Sequence, residues 1–226
     1  MNLLHVRLKG WTATFRLPLL YSGTGLTSPV PPYSTLLGLM GNVAGREVAP
    51  TETRIGYVFR SDGVGVDLET TWRFEAKPRT GRLISQTQRG IAKRQFHVRP
   101  QLDLYLDNLN LLSIFENPVN PPCMGRSQDL AWIVGIPERV EAIPVEEGTV
   151  RGTLIPFPEP NAGGLILRLP DYFDNSNVGY TRRIEKLVMY QVIKHEAPAK
   201  IHREGLFKIT GLPDGEVIYL HSLQSL

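Results

Sequence analysis

The chain has 226 residues, 42% of them hydrophobic and 21% charged, and a net charge of +3. This length suits one large domain, or one domain with an appendage, and the composition excludes a disordered chain, a collagen-like repeat and a disulfide scaffold. The single cysteine, Cys123, forms neither an internal bridge nor a cysteine-ligated zinc site alone, consistent with a reducing, cytoplasmic setting.

In chain order, Asn2 to Lys9 alternates Leu4, Val6 and Leu8 with His5, Arg7 and Lys9, the period of a half-buried strand. Leu17 to Gly45 carries no charge and has a bilayer-spanning length. It is interrupted by Pro18, Pro29, Pro31, Pro32 and glycines at 23, 25, 38, 41 and 45, so no membrane association is expected. No signal-peptide pattern opens the sequence, and a non-secreted protein follows. Trp11 to Pro32 reads as a long loop. Ser34 or Thr35 is placed to cap a helix reaching about Glu47, on which Gly38, Gly41 and Gly45 would permit close approach of another backbone.

Arg54 to Arg60 reads as a strand, turned at Asp62-Gly63 into a partner over Val64 to Phe74. From Arg73 to Arg99 there are eight basic residues, Arg73, Lys77, Arg79, Arg82, Arg89, Lys93, Arg94 and Arg99, and only one acid, Glu75. Trp72, Phe74 and Phe96 flank this run, and Thr80, Ser85, Gln86, Thr87, Gln88 and Gln95 supply hydrogen-bonding groups. Cations for phosphates, polar groups for base edges and rings for stacking are what single-stranded nucleic acid requires; a solvated loop without a partner gives the same composition. Val98 to Leu106 resumes as a strand, Leu109 to Phe115 is a short helix, and Leu130 to Val134 is an apolar, buried strand. Further extended segments are expected at Ile143 to Val150, Ile155 to Pro160, Leu165 to Leu169 and Ile184 to Lys194.

The fold class expected is α+β: a ferredoxin-like, RNA-recognition-type domain over residues 1–140. A basic β-hairpin thumb is inserted at about 76–97, and a smaller β-rich part occupies 141–226. Phosphate-binding loops, dinucleotide fingerprints and zinc or serine-hydrolase motifs are absent from the sequence, and no cofactor or metal is expected. Of the scattered histidines, His97 alone lies beside the basic run. With a tyrosine and Lys93 it has the chemical types for metal-free RNA cleavage. In the segment 117–131 the prolines stiffen a turn, and Gly125 marks a position of positive φ or close backbone approach. Arg126 and Asp129 either bond that turn together, or Arg126 and Ser127 present donors to a phosphate.

The succession GWTATFRLP (10–18), SPVPPYSTLLGLMG (28–41), the basic run into RPQLDLYL (99–106), and NPVNPPCMGRSQDLA (117–131) resembles the CRISPR-associated protein 5 family. That family is a RAMP-type subunit of the Cascade surveillance complex, and the closest flavour is its type I-B-like branch. The resemblance covers about residues 1 to 135. It implies a non-catalytic subunit for antiviral, RNA-guided DNA targeting that grips the 5′ repeat-derived handle of the CRISPR RNA. Such a subunit caps the backbone filament and docks the large subunit, with target DNA nearby in the same complex. Handle contact would fall to Arg16, Lys77, Arg79, Arg82, Arg89, Lys93, Arg94, Arg126 and Ser127, and to the helix start around Tyr33 to Leu37. The alternatives are a metal-independent endoribonuclease processing precursor CRISPR RNA, the activity of one branch of the family, and a protein-interaction module without RNA contact.

Overall fold

A computed structural model describes residues 1–17, 23–71, 74–76, 80, 83–85, 90–175 and 183–223. The strands are β1 (Asn2–Gly10), β2 (Thr12–Ala13) and β3 (Thr24–Gly25), followed by helix α1 (Tyr33–Ala44). Then come β4 (Ile55–Arg60), β5 (Gly63–Thr71), β6 (Phe74–Ala76), β7 (Leu83–Ser85), β8 (Gly90–Val98) and β9 (Gln101–Leu106). A 3-10 turn at Leu109–Leu111 enters the short helix α2 (Leu112–Glu116). The chain ends in β10 (Ala131–Ile133), β11 (Glu138–Val150), β12 (Thr153–Pro156), β13 (Ile166–Asp174), β14 (Arg183–Ile193), β15 (Ala199–Ile209) and β16 (Ile218–Tyr219). The architecture is a mixed α+β one, mostly sheet with few helices.

The central sheet runs β16-β15-β11-β1-β9-β4, and β10 shares with β11 the flank of β1 opposite β9. All these pairs are antiparallel. One face of it turns Leu4, Val6 and Leu8, Leu102, Leu104 and Leu106, and Ile55, Tyr57 and Phe59 toward α1 and α2, where Leu36, Met40, Val43 and Phe115 meet them. Each such side chain contributes about 1.5–3 kcal/mol by leaving water.

Helix α1 departs from expectation at its start. Pro32 is the N-cap, with extended backbone and no side-chain cap; its carbonyl accepts from the amides of Thr35 and Leu36, so Ser34 and Thr35 lie inside the first turn. The glycine face is only partly used: Gly38 faces open space, while Gly41 is approached by the backbone that leaves the helix, where a Cβ would lie 3.1 Å from the Arg46 carbonyl. Gly45, a left-handed cap, is approached by the Val119 side chain instead.

The expected hairpin across Asp62-Gly63 does not form. Strand β4 pairs with β9 and β5 pairs with β8, because the chain continues at Ser61-Asp62 instead of reversing, the Asp62 amide donating to the Val98 carbonyl. Arg60 faces Gln101, and Gly63 faces Val98, three residues further along each strand. One ribbon with a single register therefore runs from Ile55–Leu106 out to Thr71–Gly90. The hairpin begins at Gly63, well before residue 76. Beyond Thr71–Gly90, β6 and β7 pair antiparallel. Strand β10 is not the buried strand expected: Trp132 stands 43% exposed.

The first half of β11 joins β1 and its second half joins β15, so hydrogen bonds continue through residue 140. The sheet then curls. Ile55 and His221 exchange amide-to-carbonyl bonds of 2.9 Å in both directions, bringing the last strand against β4. Gly56 permits this approach, since a Cβ there would sit 2.5 Å from Ile218 Cγ2. Inside the curl Leu3, Tyr105, Ala142, Phe207, Ile209, Ile218 and Leu220 form a second core. A separate sheet, β12-β14-β13, lends Leu154, Leu169, Tyr190 and Val192 to the first core. In its polar seam the Tyr190 hydroxyl donates to Asp171 and lies 2.8 Å from His221 Nε2, and the Tyr33 hydroxyl donates to the Leu154 carbonyl. Among the described residues no helix is long and apolar enough to cross a membrane.

Candidate nucleic-acid interface

Opposite residues of an antiparallel pair share a face, so the register of β5 and β8 assigns the hairpin's two sides. One side carries Gly65 with Phe96, Asp67 with Arg94, and Glu69 with Ala92. The other carries Val64 with His97, Val66 with Gln95, Leu68 with Lys93, and Thr70 with Ile91. The inner edge of β8 is held by β2, antiparallel at Thr12–Val98, and by β3, parallel at Thr24–Lys93 and Gly25–Arg94.

The first side is a chain of ion pairs. Arg94 pairs with Glu69, whose carboxylate also lies 3.6 Å from Arg126 Nη1. Arg126 in turn grips Asp129 with Nε and Nη2, both at 3.0 Å, and Thr12 adds its hydroxyl at 2.7 Å. Burial alone would raise the Asp129 carboxyl, but the Arg126 guanidinium and the Thr12 hydroxyl hold it below the ordinary aspartate range. The same partner raises Arg126. Gly125 does what its type suggests: φ is 113°, and a Cβ would overlap the Thr14 carbonyl. Arg126 therefore ties the stiff turn to the base of the hairpin, and Ser127 beside it is exposed.

On the second side Val64, Val66, Leu68 and Ile91 are exposed, and Lys93 stands among them. The described ribbon is thus neutral, Asp67 and Glu69 against Lys93 and Arg94. Arg16 is exposed on the bridge to Thr27, next to β3. Lys77, Arg79, Arg82 and Arg89 lie outside the described residues, all within the segment that Thr71–Gly90 closes. Sequence reasoning missed Glu69, just outside the basic window, because only the hairpin register puts it beside Arg94. It missed Lys9 and Arg60 as well, which no motif singles out.

His97 does not join an accessible cluster. It is 2% exposed between Phe15 and Phe59, with Nε2 2.8 Å from the Ser28 carbonyl and Nδ1 3.1 Å from the Ser61 hydroxyl. Burial lowers its pKa. Tyr33 and Tyr57 are buried, each donating to a backbone carbonyl, and burial raises both well above the ordinary tyrosine value. At the helix start Tyr33, Leu36 and Leu37 are accordingly packed inward, while Ser34 and Thr35 are half-buried. Among the described residues no three His, Cys, Asp or Glu side chains group as metal ligands.

No protein-family model and no curated protein matches the sequence. Solved structures do match. A chain of a CRISPR RNA-guided surveillance complex superposes with a TM-score of 0.55 at 18% identity, over 87% of this chain and 91% of that one. A chain of the type III-B Cmr-beta complex bound to cognate target RNA gives 0.54 at 12% identity, over 88% and 86%. The same complex with AMPPnP gives 0.53 at 11%, over 90% and 86%. The sheet-dominated α+β fold is therefore one shared with chains of CRISPR RNA-guided and Cmr assemblies.

Proposed function

We propose that this chain is a non-catalytic, CRISPR-associated RNA-binding subunit of the protein 5 type, cytoplasmic and part of a type I Cascade complex. It holds the 5′ repeat-derived handle of the CRISPR RNA, caps the backbone filament and docks the large subunit. Strands β1, β4, β9 and β10/β11 with helices α1 and α2 follow the βαββαβ order, and their spatial order, fourth-first-third-second, supports a ferredoxin-like reading. The observation that carries the proposal is the continuous ribbon. It grows from the one connection between the second and third strands of that unit, and Lys77, Arg79, Arg82 and Arg89 all fall beyond its last described rung. Its base carries paired charges, so its grip on phosphate is assigned to the distal cations and to Lys93. Arg94 and Arg126 position the hairpin instead.

The test is reversal of Lys77, Arg79, Arg82, Arg89 and Lys93 to glutamate, with binding to a repeat-derived RNA followed across salt concentrations. Each lost phosphate contact on a single strand removes about 0.7 from the slope of log K against log salt. An unchanged slope and affinity would refute the assignment. The endoribonuclease reading has less support, because both His97 ring nitrogens are already occupied.

A further inference from the structure

The outer face of the central sheet is closed at one end and open at the other. At the closed end His5 and Tyr105, stacked at 4.6 Å, lie beneath the curl of β15 and β16, with Gly56 beside Tyr105. At the open end one row crosses four strands in register: Trp132 on β10, Lys9 on β1, Gln101 on β9 and Arg60 on β4. Trp11, at the end of β1, meets Trp132 with ring centroids 5.7 Å apart and planes at 56°. Neither ring covers the other, and they remain 71% and 43% exposed.

The cations of this row differ from the paired arginines around them. Arg7, Arg46, Arg54, Arg94, Arg99 and Arg126 are all matched with carboxylates. Among the described residues Arg60 donates to the neutral Gln101 amide, and neither it nor Lys9 has a carboxylate partner. The acids on the same face, Asp103 and Glu138, are already bonded to Arg7 and His5. An exposed aromatic pair in line with uncompensated cations and an amide complements a polyanion carrying flat bases.

We propose that this open end is a second platform for single-stranded nucleic acid, separate from the hairpin. Bases stack on Trp132 and Trp11, while Lys9 and Arg60 meet phosphates. The test uses the full chain carrying Trp72→Phe, leaving Trp11 and Trp132 as its tryptophans, titrated with oligouridylate and with oligodeoxythymidylate. Both quench the tryptophan emission, and the tighter of the two identifies guide RNA or a DNA strand as the source. Trp132→Ala, with circular dichroism unchanged, raises Kd about tenfold, the weight of one stacked base, and Trp132→Phe stays within about twofold of the parent. Lys9→Gln with Arg60→Gln lowers the salt slope by about 1.4. Glutamate reversal of the hairpin cations leaves the quenching in place. Absence of quenching, an unchanged Kd in Trp132→Ala, or quenching lost on hairpin reversal would each overturn the second site. So would a Trp132→Ala chain that keeps its oligonucleotide affinity but loses a co-purifying protein.

Discussion

Replacing Asp129 by alanine examines the joint between the hairpin and the body. The carboxylate is fully buried and accepts from the Arg126 amide, Nε and Nη2, and from the Thr12 hydroxyl. Removing one partner of a buried ion pair costs about 3–5 kcal/mol, because the other charge is left uncompensated. The Arg126 side chain is 25% exposed and keeps the Glu69 carboxylate 3.6 Å from its Nη1, which sets the expected loss near the lower end, about 3 kcal/mol. For a chain of this size each kcal/mol shifts Tm by about 2–4 °C, so a fall of about 6–12 °C is expected by calorimetry or circular dichroism. Asp129→Asn keeps the shape while removing the charge, and falls between parent and alanine. A fall of less than about 2 °C for Asp129→Ala would show that the network carries no such weight.

Other outcomes follow from the same geometry. Gly56→Val forces Ile218 and the Tyr219 carbonyl away from β4, and an overpacking loss of about 1–3 kcal/mol is expected in urea denaturation. Gly125→Ala combines a φ of 113° with a clash against Thr14, and a Tm equal to the parent's would contradict that contact. His97 is held below its ordinary pKa by burial, so the unfolded chain takes up its proton first as pH falls. Its contribution is complete above about pH 6.5 and declines below it, and a His97→Gln chain should show a flatter stability curve between about pH 7 and 5. Asp129 shares the acidic limb with Asp103 and Glu52, all three held below their ordinary carboxylate range. The part owed to Asp129 is present above about pH 4 and fades as the carboxylate protonates, so Asp129→Asn should show a shallower acid loss than the parent.

Local pattern made several elements legible. The alternation of Asn2 to Lys9 gave β1, the proline run followed by Leu36 to Val43 gave α1, and Gly125 was recognised for its backbone demands. What failed was partner choice. Asp62-Gly63 has the composition of a reversing turn, yet the chain runs straight through it, because Ile55, Tyr57 and Phe59 bury against β9 and fix the register. That pairing joins residues some forty to fifty apart, which local composition does not encode. Strand β15 was hidden for a related reason: His202, Arg203 and Glu204 interrupt its apolar pattern, and a bulge between Val145 and Glu147 shifts its pairing. At the candidate interface cations were visible in the sequence but their counter-charges were not. Arg94 and Arg126 read as free donors until the fold sets Glu69 and Asp129 beside them.

The unbroken pairing from β4–β9 into β5–β8 makes the core a ruler for its own outgrowth. Lys93 and Arg94 are neighbours with opposite destinies, one turned to solvent and the other locked to Glu69, and only the parity of the count from Leu102 separates them. A one-residue slip would exchange the two sides along the whole arm. It would bring Leu68 and Val66 onto the side of the Arg126 turn and send Glu69 outward. Since Leu102, Leu104 and Leu106 cannot slide without emptying the interior, the orientation of the projecting arm is decided at its root, well before the chain reaches its first distal cation.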